Sequence, residues 1–276
     1  MSGNISKKIA FNYFGGKFQF LEQLYACFPS DFNHLCDLFC GSMAVSLNYG
    51  YPVIKTANDV NDDIVNFFSV LRDHEQELLR LLQLTPVAKA EYDNCWIKSD
   101  NSIENARRFY VRIRQSFFGL GAQRRNKGWH MAKGQSNANG GETVSKWNNA
   151  IDKLPEVATA LRQQFQITNF SWEECIDKID NPKCFFYCDP PYPKNTRASY
   201  NDYKFEFTDS DHEALAEKLH RIQGMAMVSS YNSDMYNSLY ADWEKIEFPV
   251  KKNNIRSGEV REIVWINYEI KNNTLF

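Results

Sequence analysis

Asp189-Pro190-Pro191-Tyr192 puts a carboxylate, two rigid rings and an aromatic face into four consecutive residues. The quartet follows Cys188 and the run Lys183-Cys184-Phe185-Phe186-Tyr187, which reads as a buried strand. It therefore stands at the carboxyl end of a strand, where open α/β sheets receive their ligands. The prolines fix φ and remove two backbone donors, which leaves carbonyls able to face N–H groups. Asp189 is a further acceptor, and Tyr192 offers a flat surface for stacking. Such a set suits a planar ring bearing an exocyclic amine, such as adenine or cytosine. An ordinary Pro-Pro turn would carry the same four letters, so other segments must decide.

Three segments bear on the decision. Asn12-Tyr13-Phe14-Gly15-Gly16-Lys17 precedes the first helical pattern. Its two glycines let the backbone approach a ligand, helix-start N–H groups favour an anion, and Lys17 adds a cation; a plain helix-start turn is the alternative. Cys36-Asp37-Leu38-Phe39-Cys40-Gly41-Ser42 reads as a strand entering a tight turn, the place where nucleotide-like ligands meet a Rossmann-type sheet. The Gly-x-Gly-x-x-Gly pattern is missing there, which speaks against a dinucleotide-dependent dehydrogenase. Thr56-Ala57-Asn58-Asp59 ends the next strand. Asp59 follows the first turn by about twenty residues, the spacing of an acid that bonds ribose hydroxyls, although a helix N-cap would look the same.

These segments need elements to hold them. Phe18, Leu21, Leu24, Tyr25 and Phe28 recur at helical spacing, and Pro29 ends that helix. Strand patterns at 34–39 and 53–57 alternate with helical ones through Leu47 and over 61–71. This β-α-β-α order predicts a parallel sheet. From about Pro86 to Gln164 the chain reads as mostly helical, interrupted by a polar stretch at 119–141 that is too long for a simple connector. Strand patterns resume at 165–168, 184–187, 225–229 and 245–249, with a helix over 209–222 N-capped by Asp209 and a β-rich end at 261–270. The expected organisation is an α/β domain made of 1–85 and 165–276, split by an insertion at 86–164.

With 276 residues, 43% hydrophobic and 24% charged, the composition is that of an ordinary globular protein. The net charge is −2, yet from Glu104 to Lys133 a single acid faces eight cations: Arg107, Arg108, Arg112, Arg114, Arg124, Arg125, Lys127 and Lys133. A local basic patch suggests a docked polyanion. No apolar run reaches the roughly 18–20 residues that cross a membrane, and the first residues lack a signal-like core, so a cytosolic location is expected. Seven cysteines without a Cys-x-x-Cys pair argue against a disulfide framework and a zinc ribbon. Cys36/Cys40 and Cys184/Cys188 could join in a metal site, but buried thiols packing as small hydrophobes fit better, and no metal is expected.

Taken in order, Tyr13–Lys17, Asp37–Ser42, Asn58–Asp59 and Asp189–Tyr192 resemble the Dam-type (class D12, alpha group) N6-adenine-specific DNA methyltransferases. Tyr200, Phe207, Thr208, Asp211, His212, Leu215, Leu219 and the stretch Met227-Val228-Ser229-Ser230 fit as well, so the likeness covers most of the chain outside the insertion. It implies a Rossmann-like S-adenosylmethionine-dependent methyltransferase sheet with an inserted helical and loop DNA-recognition domain. It implies that Tyr13, Gly15, Gly16, Lys17, Asp37, Phe39, Gly41, Asp59 and Asp189 contact the cofactor. Asp189, Pro190, Pro191 and Tyr192 would be catalytic. Arg112, Arg114, Arg124, Arg125, Lys127 and Lys133 would touch DNA, with Arg124 and Arg125 favoured. Double-stranded DNA is the implied partner, joined in a restriction pair by a cognate restriction enzyme. A monomer in a bacterial or phage-like cytoplasm, held at the nucleoid through DNA, is expected. Members often have a glycine two positions after Gly41, where this chain has Met43. The alternatives are an N4-cytosine DNA methyltransferase, which usually has Ser at the position of Asp189, and a catalytically silent DNA-binding homologue.

Overall fold

The computed structural model describes residues 7–13, 16–117, 128–134, 136–137, 140–196, 205–249, 251–252 and 259–270. The chain folds into two compact units, each discontinuous in sequence. One comprises Met1–Phe18, Gly41–Asn48 and Asn61–Asn169; the other comprises Gln19–Cys40, Tyr49–Val60 and Phe170–Phe276.

The second unit is built on strands of one mixed sheet, in the spatial order Ile54–Asn58, His34–Asp37, Cys184–Cys188, Met225–Ser230, Ile263–Ile266, Glu244–Glu247. The first four are parallel, with Asp37 in register with both Ala57 and Tyr187, and Cys188 in register with Val228. Ile263–Ile266 runs antiparallel to both of its neighbours. Strand Cys184–Cys188 is buried on both faces, which explains why its sequence is apolar without alternation. Cys184, Phe186 and Cys188 pack with Cys175, Leu215, Leu219, Tyr236 and Trp265, so the helices Trp172–Ile179, Asp209–Leu219 and Asp234–Leu239 cover that side. On the opposite side the Phe185 ring meets Phe28, Phe32 and Tyr268 at centroid distances of 4.7, 5.2 and 5.8 Å.

The first unit is mainly helical. Helix Asp62–Asp73 packs along Ser102–Arg114 through Phe67, whose ring is stacked on Tyr110 at 5.4 Å and meets Phe109 at 5.8 Å. Phe11 closes the cluster at 5.4 Å from both Phe67 and Phe68. Glu75–Leu84, Lys89–Asn94, Glu142–Ile151 and Leu154–Gln164 are the longer remaining helices, and the strand Phe165–Thr168 ends the unit. Contacts therefore group the helices from Asp62 onward with the inserted segment, and the compact units divide the chain elsewhere than at 85 and 165.

Local chemistry departs from the sequence pattern in two places. The pattern from Phe18 to Phe28 is a 3-10 turn at Lys17–Gln19 followed by the short helix Leu21–Ala26. Asp209 is not the N-cap of its helix: Thr208 is, in a capping box with Asp211. Two reciprocal hydrogen bonds outcompete one, because they satisfy an orphan donor on each side of the helix start.

Candidate active site

The first strand in sequence, His34–Asp37, lies between the second, Ile54–Asn58, and Cys184–Cys188. The connections from the carboxyl ends of His34–Asp37 and Cys184–Cys188 lead to strands on opposite sides, Ile54–Asn58 and Met225–Ser230, so the crevice between those ends is a topological switch point, where open α/β sheets bind ligands. Asp37 ends one flanking strand, and Asp189 follows the other. Asp59 follows the neighbouring strand Ile54–Asn58.

Asn58 fixes the turn after Asp37. Its backbone oxygen accepts from Cys40 N at 2.9 Å, and its side-chain amide donates to Leu38 O at 3.2 Å and to Phe170 O at 3.1 Å. Asn58 Oδ1 in turn accepts from Phe170 N at 3.0 Å. The turn then presents Phe39, half-buried, whose ring meets Phe207 edge-on at 5.5 Å. Helix Asp62–Asp73 is capped by Asn61, whose side chain accepts from Asp63 N. Asp59 is thus not the cap, and the alternative that competed with a ligand role for it falls away.

Asp189 is half-buried, and its Oδ1 accepts from Ser229 Oγ at 2.9 Å. Ser229 is fully buried near the end of the adjacent parallel strand, and the Tyr187 hydroxyl lies 3.4 Å from its Oγ. A rank of buried hydroxyls behind the carboxylate therefore sets its rotamer. Tyr192 is buried with its ring edge-on to Tyr231 at 4.7 Å, and its hydroxyl donates to Glu262 Oε1. Pro190 is buried, and Pro191 is partly so. The sequence pattern missed Ser229 and Glu262 as parts of this group, because register with distant strands alone brings them to Asp189 and Tyr192.

Carboxylates dominate the electrostatics here. Burial, then Asp59 and Asp37, push the Cys40 thiol well above its ordinary range. Burial, then Asp189 and Glu262, do the same to the Tyr192 phenol, which is therefore a hydrogen-bond donor at any working pH. Such a surface favours a cation and donor-rich ligands. A sulfonium cofactor with an ammonium group and ribose hydroxyls fits that acceptor set.

In the other unit, Gly16 N donates to Tyr13 O at 3.0 Å, closing the turn ahead of Lys17, which is buried. Gly41 has φ of +49°, and a Cβ there would stand 3.0 Å from the Tyr13 ring, so this glycine serves both conformation and close approach. Met43 has φ of +57° and is fully buried. The left-handed backbone at Met43 is a conformation that glycine adopts without strain, which explains why a glycine is at home in this turn.

The basic residues divide. Arg107 and Arg108 pair with Glu104, and Arg107 also with Glu91. Arg112 pairs with Asp63 at 3.3 Å and lies over the rings of Trp96 and Phe109. Arg114 donates to Lys146 O at 3.2 Å, whereas Lys133 is exposed. Arg124, Arg125 and Lys127, like Gly15 and Tyr200, lie outside the described residues. All seven cysteines are free and buried, with Cys36 Sγ 3.9 Å from Cys175 Sγ. Among the described residues no cluster of His, Cys, Asp or Glu could hold a metal, and no helix is long and apolar enough to cross a membrane.

The switch point, the acidic strand ends and the antiparallel Ile263–Ile266 strand define a Rossmann-like methyltransferase sheet. More narrowly, the chain belongs to the D12 class N6 adenine-specific DNA methyltransferase family, whose model matches residues 13–255. It is 23% identical over 273 residues to the Type II methyltransferase M1.LlaDCHI of Lactococcus lactis subsp. cremoris, covering 92% of this chain and 93% of that protein. It is 26% identical over 248 residues to the DNA N-6-adenine-methyltransferase of Escherichia phage P1, covering 84% of this chain but only 31% of that longer protein. Similar solved structures include a conserved hypothetical protein of Streptococcus pyogenes, with TM-score 0.38, 12% identity and coverage of 92% and 96%. Another is an rRNA methyltransferase of Streptomyces viridochromogenes, with TM-score 0.33, 11% identity and coverage of 89% and 80%. Membership makes N6-adenine DNA methylation the reaction and sets aside the N4-cytosine alternative.

Proposed function

We propose that the chain moves the methyl group of S-adenosylmethionine to N6 of an adenine extruded from duplex DNA, with Asp189 and the Pro190 carbonyl accepting the two amine hydrogens. The observation that carries this reading is Asp189 at the switch point with its rotamer set by Ser229. The adenine amine is a poor nucleophile because its lone pair is delocalised into the ring. Two acceptors localise that pair and aim it, so orientation and fixed electrostatics supply the rate. The cofactor supplies an electrophilic methyl on a sulfonium sulfur. The N6–methyl bond forms as the sulfur–methyl bond breaks, S-adenosylhomocysteine departs, and one N6 proton passes by way of Asp189 to solvent only after transfer, when the methylated amine has become acidic, so Asp189 need not be a strong base.

Asp59 bonds the ribose in this reading. Asp37, Phe39 and Gly41 from the first turn, and Tyr13, Gly15, Gly16 and Lys17 from the amino-terminal segment, are further cofactor contacts. Tyr192 stacks on the extruded base; extrusion costs a few kcal/mol, which phosphate contacts offset. Arg124, Arg125, Lys127 and Lys133 are the proposed DNA contacts, since Arg112 and Arg114 are engaged inside their own unit. Residues 86–164 carry target recognition, and 1–85 with 165–276 carry catalysis. The protein acts as a monomer in the cytoplasm, alone or beside a cognate restriction enzyme.

Incubation with unmethylated duplex DNA and methyl-labelled S-adenosylmethionine, followed by digestion to nucleosides, is expected to place label in N6-methyladenine. Label in N4-methylcytosine, or none with any DNA, overturns the reading.

A further inference from the structure

Tyr192 is gripped at three points. Its backbone follows two residues of fixed φ, its ring edge meets Tyr231 at 4.7 Å and 82°, and its hydroxyl donates to Glu262. Glu262 stands immediately before the strand Ile263–Ile266, whose first residue is in register with Ser230. That register delivers a carboxylate from the far end of the chain to the carboxyl end of Met225–Ser230. The Glu262 backbone oxygen is itself held, accepting from Phe248 N at 2.9 Å. Tyr192 and Glu262 are each only 4% exposed, so this bond is shielded from competing water. A hydrogen bond to a charged acceptor in such a setting is among the stronger ones.

We propose that Glu262 is a positioning residue for methyl transfer: by holding the Tyr192 hydroxyl it fixes the position of the ring against which the target base stacks. The inference rests on the reading of Tyr192 as the stacking wall. A phenol ring has two side-chain torsions. The edge-on Tyr231 contact opposes rotation of the ring about its long axis, and the Glu262 bond at the tip of that axis stops the ring from swinging. A base stacked on a rocking wall spends less time aligned with the methyl group, so the loss falls on turnover rather than on cofactor binding.

The test compares wild type, E262Q, E262A, Y192F and the E262A/Y192F double variant. The substrate is unmethylated chromosomal duplex DNA with methyl-labelled S-adenosylmethionine, assayed below the melting temperature of every protein used. E262A and Y192F should each lower kcat about tenfold, with the cofactor KM within about twofold of wild type. The double variant should be no slower than either single one, because both remove the same bond. E262Q, whose amide oxygen can still accept, should stay within about threefold of wild type. Multiplying losses in the double variant, or full kcat in E262A or Y192F, overturns the proposal. Should E262A fail to fold, Y192F and E262Q still decide: Y192F at wild-type kcat overturns it, and a slow Y192F beside a fast E262Q supports it. An inactive wild type sinks the reading of Tyr192 itself, whereas an active wild type with full-rate variants sinks only the role of Glu262.

Discussion

Asp189→Ala should lower single-turnover methyl transfer by about a thousandfold or more, while the protein keeps its fold. The loss is large because the carboxylate is one of two acceptors that aim the amine, and removing a preorganised group of this kind is costly. The fold survives because Asp189 lies beyond the buried strand Cys184–Cys188 rather than within it. Truncation leaves Ser229 Oγ without its 2.9 Å acceptor, but Cys188 O remains 3.4 Å away. The stability cost is then about 1 kcal/mol, a shift of ~2–4 °C in a protein of this size. Asp189→Asn keeps one acceptor oxygen and should fall between the two. Rapid-quench counting of labelled nucleoside beside a calorimetric melt tests both halves. Transfer at full rate by Asp189→Ala would remove the carboxylate from the mechanism.

Gly224→Ala should be the most damaging single-methyl change in the sheet unit. A Cβ at Gly224 would lie 2.6 Å from Cys184 O and 2.9 Å from Asn181 O, both backbone atoms. Neither can step aside like a side-chain tip, since Cys184 N also donates to Asn181 O at 2.9 Å. The Asp180 carboxylate accepts from Gln223 N at 2.9 Å and from Gly224 N at 3.0 Å, so the strand start is held on that side too. Forcing a methyl into such a place costs on the order of 1–3 kcal/mol or more. Urea unfolding should show a lower midpoint at an unchanged slope. An unmoved midpoint would mean that the strand start shifts freely, against the hydrogen bonds seen there.

Much of this architecture is legible in the residues themselves. The strand Phe165–Thr168 follows from apolar/polar alternation and the start of Cys184–Cys188 from a short apolar run, and the β-α-β-α order of the first part announces the parallel sheet. Asp59 and Asp189 are recognisable because each sits just past the end of a strand pattern, whereas the pattern at 34–39 runs past Asp37, where the folded strand ends. Pairwise geometry is what the pattern cannot carry. Nothing near Tyr192 in sequence announces Glu262, 70 residues away, and Ser229 looks like any strand serine until register sets it beside Asp189. Thr208 lost to Asp209 as the expected cap because both are good caps and only the reciprocal bond with Asp211 distinguishes them. The aromatic contact of Phe67 with Tyr110, which holds Asp62–Asp73 and Ser102–Arg114 in one compact unit, is equally invisible in the pattern.

The buried thiols give the molecule a built-in clock of its own opening. Cys27, Cys36, Cys40, Cys175, Cys184 and Cys188 belong to the sheet unit and Cys95 to the helical one, and burial suppresses thiolate formation, raising Cys27 to about 11 and Cys95 to about 12. An alkylating reagent reaches such sulfurs only through fluctuations that expose them. Peptide mapping after timed alkylation therefore reports the breathing of each half separately, with no engineered probe.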